Sequence, residues 1–98
     1  MKRKFRVELY EGRNAPGYWR YETSGVLAPA VEAYIKGEAL THGQVMLMKM
    51  YLRQWIMAPC WRGDAELEDL RWSVELIQTQ QDIRNWLWRA MDEGHDPL

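Results

Sequence analysis

Six tryptophans in a chain of 98 residues, each with an arginine beside it or two positions away, limit what this sequence can fold into. The pairs are Trp19 with Arg20, Trp55 with Arg53, Trp61 with Arg62, Trp72 with Arg71, Trp86 with Arg84, and Trp88 with Arg89. An indole carries a large apolar area, and a guanidinium over its face contributes about 0.5–2 kcal/mol. A domain of this size has one core, too small to hide six indoles completely. Some of them therefore belong on the surface, where Trp and Arg are the residues that concentrate binding energy.

The rest of the composition is that of an ordinary globular chain, with 47% hydrophobic and 28% charged residues and sparse Gly and Pro. A single domain over residues 1–98 is expected. The net charge of −1 conceals an asymmetry: residues 1–63 hold ten Lys/Arg against five Asp/Glu, and residues 64–98 hold three against nine. Such halves can attract within one fold or pair head to tail between chains. A lone cysteine, Cys60, excludes an internal disulfide and fits a reducing compartment. Lys2-Arg3-Lys4 leads into no apolar run, which argues against a secretory signal. The most apolar stretch, from Val45 to Ala58, is broken by Lys49, Arg53 and Gln54, so no membrane span is expected and a cytoplasmic location is.

Periodicity predicts an α+β fold, with an N-terminal β-hairpin over residues 1–25 packed on a bundle of about four helices over 26–98. Phe5, Val7 and Leu9 alternate with Arg6, Glu8 and Tyr10, as on a half-buried strand. The turn-forming run Gly12 to Gly17 follows, then the aromatic, strand-favouring Tyr18 to Thr23. Pro29 near the start and Gly37 at the end bracket a first helix. Thr41 with Gln44 forms a capping-box pattern for a second helix, which Pro59 ends. Its Val45, Met48, Leu52, Trp55 and Ile56 share one face, and Met46, Met50 and Met57 widen it, so this helix is expected at the centre. Asp64 caps a third helix with Leu67, Leu70, Val74 and Ile77 inward. Thr79 with Asp82 caps a fourth, with Ile83, Leu87, Ala90 and Met91 inward, Trp86 on the flank, and Gly94 as its stop.

Catalytic and metal chemistry find little footing. Cys60 with His42 or His95 is the one nucleophile–base combination available, and nothing in their spacing joins them to an orienting group. Two isolated histidines and one cysteine have no metal-ligand spacing. Asp64, Glu66, Glu68 and Asp69 cluster, but at a helix start where the dipole favours negative charge. No Gly-rich phosphate loop is present, so no cofactor and no metal are expected.

Two binding readings remain. At 100° per residue, Trp72 and Leu76 lie opposite the third helix's inward stripe and Trp88 roughly opposite the fourth's, with Arg71 and Arg89 beside the indoles. Those five residues form the candidate interaction face of a protein-binding module, with a dimer as its expected state. The alternative is nucleic-acid binding by the hairpin, through Lys2, Arg3, Lys4, Arg6, Arg13 and Arg20 with Trp19 and neighbouring tyrosines as stacking platforms. Glu8, Glu11 and Glu22 in the same segment, and the slightly acidic whole, count against it.

The stretch Tyr51-Leu52-Arg53-Gln54-Trp55-Ile56-Met57-Ala58-Pro59-Cys60-Trp61 resembles a segment of small bacterial and mobile-element proteins. So does the ending with Gly94, Asp96, Pro97 and Leu98. The resemblance implies a bacterial or phage cytoplasmic origin, in which inhibition of a host system is a natural role. It carries no activity and no site residue with it. The leading expectation is a non-enzymatic, self-associating interaction protein.

Overall fold

The computed structural model describes residues 17–22, 24–58 and 65–98, and all regular structure among them is helical. Four α-helices follow one another: α1 over Leu27–Ile35, α2 over His42–Ile56, α3 over Glu68–Ser73 and α4 over Gln80–Asp92. Short 3-10 turns lie at Tyr18–Tyr21 before α1, at Ala65–Leu67 before α3 and at Val74–Leu76 after it.

The expected β-hairpin is therefore corrected. Its first strand falls on residues outside those described, and its second is a 3-10 turn that opens at Gly17 with φ of 79°. The aromatic run Tyr18-Trp19-Arg20-Tyr21 favours strands only where a sheet surface is there to receive it. Here Trp19 is instead buried to 4% exposure, and its indole N–H donates to the Leu98 main-chain oxygen at 3.2 Å. Burial of one indole sets the backbone.

Both capping boxes form. Thr41 Oγ1 accepts from the Gln44 N–H at 3.1 Å, and the Gln44 side chain accepts from the Thr41 N–H at 3.0 Å. Thr79 and Asp82 repeat the pattern, both bonds at 3.1 Å, and Asp82 also accepts from the Gln78 N–H at 2.9 Å. The start of α1 has no side-chain cap from its own N-cap residue. Instead the Glu22 carboxylate accepts from the Ser24 and Leu27 N–H groups. Gly37 and Gly94, at φ of 77° and 86°, end α1 and α4. In each case the two N–H groups that follow the last turn bond back to its carbonyls: Gly37 and Glu38 to Tyr34 and Ala33, Gly94 and His95 to Met91 and Ala90. Only a glycine enters that left-handed conformation without strain.

These caps carry a measurable share of stability. Thr41→Ala and Thr79→Ala should each destabilise by about 0.5–2 kcal/mol in a denaturant titration. The Gln78 N–H holds the Asp82 carboxyl below the usual aspartate range against a smaller desolvation effect, and the N–H and hydroxyl of Thr79 add lesser contributions in the same direction as Gln78. Its folded pKa thus lies below its unfolded one, so its contribution is full above the unfolded value and is lost as pH falls through the folded one. Asp82→Asn should accordingly flatten the acid limb of a stability-versus-pH curve.

Helix α2 packs against α1, α3 and α4, as its apolar girth predicts. Val45, Met48, Leu52, Trp55 and Ile56 are all buried, while Met50 and Met57 face outward. Leu67, Leu70, Val74 and Ile77 are also buried, although the segment that carries them is α-helical only in its middle. On α4 the inward stripe is Ile83, Trp86, Leu87 and Ala90, at spacings of three and four. Trp86 is central and Met91 is exposed, the reverse of the expected order. The segment after α4 folds back: His95 is fully buried with its ring edge-on to Trp55, and the Tyr51 hydroxyl donates to the Pro97 carbonyl at 2.7 Å. Among the described residues no helix is long and apolar enough to cross a membrane.

Candidate interaction surface

The three apolar candidates are on the outside. Trp72 is 73% exposed, Leu76 74% and Trp88 65%, whereas Trp19, Trp55 and Trp86 are 4% or less. The structure thus divides its five described indoles into a buried trio and an exposed pair. The buried trio is fixed by specific contacts. Trp86 Nε1 donates to the Leu70 carbonyl at 3.0 Å, and its ring meets Trp55 edge-on with centroids 6.4 Å apart.

The exposed candidates do not form one face. Leu76 lies beside the crevice between the α3 segment and α4, lined with Ser73, Asn85 and Arg89. Trp88 lies on the other flank of α4, in a groove shared with α1. Two patches result, separated by the width of α4: Trp72 with Leu76 one helical turn apart, and Trp88. Arg71 pairs with Glu68 at 3.1 Å, and Arg89 pairs with Asp69, tying α4 to α3. Neither arginine sits free beside an indole. The arginine–indole contact seen among the described residues is that of Arg20, whose guanidinium carbon is 4.8 Å from the Trp19 ring centroid.

The groove between α1 and α4 has a volume of about 550 Å³ and is lined chiefly by Tyr34, Ile35, Gln80, Gln81, Arg84 and Trp88. The Gln80 side chain builds it by holding the α1–α2 loop on the first turn of α4. It donates to the Glu38 carbonyl at 2.9 Å and accepts from the Leu40 N–H at 2.8 Å. Ile35 is 57% exposed, off the buried stripe of Leu27, Ala30 and Val31. Partial burial pushes the Tyr34 phenol up from its ordinary value, the nearby Arg84 charge opposing this in smaller part, so the hydroxyl keeps its proton at neutral pH.

Sequence reading missed Tyr34, Ile35 and Arg84 as surface partners. One signal was present: Arg84 precedes Trp88 by four residues and so shares its side of α4. That α1 would supply the opposite wall depends on how the two helices pack, which no single-helix projection contains.

The nucleic-acid candidates fare differently. Lys2, Arg3, Lys4, Arg6 and Arg13 lie outside the described residues. Trp19 is corrected as a stacking platform: it is buried, bonded to the C-terminal segment and covered by Arg20, so it has no open face for a base. Cys60 also lies outside the described residues. His42 is exposed at the start of α2, while His95 is buried against Trp55, so the two histidines occupy opposite environments. Among the described residues no group of three or more His, Cys, Asp or Glu side chains converges on a point.

No family model, curated protein or solved structure matches this chain.

Proposed function

We propose that this chain is a non-enzymatic protein-interaction module that self-associates through the outer side of α3 and the 3-10 turn after it. The observation that carries this reading is the exposure of Trp72 and Leu76, four residues apart at 73% and 74%, beside a core that is filled without them. Scattered single apolar residues on a surface are ordinary, but an indole and a leucine four residues apart, both at nearly three-quarters exposure, are a contact surface in waiting. Two copies apposing this patch about a twofold axis place each Trp72 against the other's Leu76, the self-complementary arrangement of most dimers. The Arg71–Glu68 and Arg89–Asp69 pairs then lie at its edge, as a polar rim lies around an apolar centre. The alternative of nucleic-acid binding loses its indole with the burial of Trp19.

Static light scattering tests this. The wild type should run as a dimer at micromolar concentration, and the double substitution Trp72→Gln, Leu76→Gln should run as a monomer with unchanged far-UV circular dichroism. Both side chains are largely in water already, so the change removes little from the core. A wild type that stays monomeric at high concentration would overturn the reading.

A further inference from the structure

Each described arginine but one has a partner. Arg20 lies over the Trp19 ring, and Arg53, Arg71 and Arg89 pair with Glu75, Glu68 and Asp69. Among the described residues Arg84 pairs with no carboxylate and no ring, and it lines the α1–α4 groove. Across from it stands the protonated Tyr34 hydroxyl, which makes no hydrogen bond to any described residue. No carboxylate side chain lines this groove among the described residues. Its remaining walls are the Trp88 indole and Ile35, both mostly exposed.

Two unused donors, one of them a fork-shaped cation, beside an indole and a branched aliphatic chain make a pocket for an acid with an apolar neighbour. A guanidinium binds a carboxylate through two parallel N–H groups, and a phenol adds a third donor. We propose that this groove docks a segment of another protein in which an Asp or Glu stands beside an aromatic or leucine side chain. The carboxylate accepts from Arg84 and Tyr34, and the apolar side chain rests on Trp88 and Ile35. Charge complementarity favours another protein over a second copy of this chain. The carboxylates close in sequence to the exposed Trp72 and Leu76, namely Glu68, Asp69 and Glu75, are already held by Arg71, Arg89 and Arg53. The proposal rests on the reading of this chain as an interaction module, and it concerns a different surface from the self-associating one.

A fluorescein-labelled, amidated Glu-Phe-Glu-Leu peptide and its Gln-Phe-Gln-Leu counterpart supply the test, by anisotropy with the whole chain. The acidic peptide should bind about tenfold tighter than the neutral one. Arg84→Gln should erase that preference, and Tyr34→Phe should weaken the acidic peptide by a factor of about two to ten. The Trp88 indole N–H resonance should move on titration with the acidic peptide. Equal binding of the two peptides, no binding of either, or an Arg84→Gln variant that binds as the wild type does would overturn the proposal. So would free 3-phenylpropionate competing as well, mole for mole, as the peptide, which would make the groove a small-acid site. Loss of self-association in Arg84→Gln would make its occupant a second copy. The Trp72→Gln, Leu76→Gln variant should keep its peptide binding, which separates failure of the dimer reading from failure of this one.

Discussion

Trp55→Ala is expected to lower stability by about 3–5 kcal/mol, the range for removing a large aromatic side chain from a packed core. Trp55 is fully buried on α2, the helix that touches α1, α3 and α4. Its ring meets Trp86 from one direction at 86° and His95 from another at 69°. The cost depends on how far the surroundings can collapse into the space left behind. Here they are held: Trp86 is tied to the Leu70 carbonyl, and His95 belongs to a segment fastened by Tyr51 and Trp19. The cavity should therefore stay open. A domain of this size has only about 5–15 kcal/mol to lose, so the guanidinium midpoint should fall sharply. Leu52→Ala, one turn away and equally buried, should cost about 2–5 kcal/mol by the same mechanism. A loss under about 1 kcal/mol at Trp55 would show that the neighbours close the gap and that this indole is not the centre of the core.

Much of this core was legible in the chain because helix signals are local. Thr41 with Gln44 and Thr79 with Asp82 each need only four consecutive residues to form a capping box, and both formed. Gly37 and Gly94 stop their helices for reasons contained in their own backbone angles. The spacing Leu67, Leu70, Val74, Ile77 marks the inward stripe, and all four are buried. Its intervals of three, four and three residues keep all four side chains inward across α3 and the 3-10 turn that follows it. The hairpin was a different matter. A run such as Tyr18-Trp19-Arg20-Tyr21 has strand propensity, but propensity describes fit to a pleated surface. Here Trp19 is buried from a 3-10 turn and bonded to the C-terminal segment, with no sheet among the described residues to receive the run. On α4, Trp86 and Met91 exchanged roles because the helix is inward along 83, 86, 87 and 90, a line shifted toward α3 by the Trp86–Leu70 bond. The same limit applies to the surface. Projection of single helices put Trp72, Leu76 and Trp88 opposite the inward stripes, where they are exposed, yet it joined them into one face. Only the tertiary arrangement, with α1 across a groove on one flank of α4 and the α3 segment on the other, shows two patches and gives Arg84 its groove.

Removal of residues 95–98 should be as damaging as a large core deletion, although it takes away only one bulky ring. His95 is fully buried against Trp55, and without it one side of that indole faces water. The buried Tyr51 hydroxyl loses the Pro97 carbonyl at 2.7 Å, and Trp19 Nε1 loses the Leu98 oxygen at 3.2 Å. A buried donor left without its acceptor costs about 1–3 kcal/mol, well above the net worth of the bond itself. With the lost packing on Trp55 added, a total of about 3–6 kcal/mol is expected. The Tyr18–Tyr21 turn should loosen first, because Trp19 is its buried residue. Tyr51→Phe separates the contributions: it deletes the hydroxyl as well as its bond, so it should cost only about 0.5–1.5 kcal/mol. Thermal unfolding followed by near-UV circular dichroism reads both variants, since the signal comes from the indoles concerned. If the shortened chain melts as the full one does, the C-terminal segment merely lies on the domain, and the contacts of Trp55 with α4 alone hold the core together.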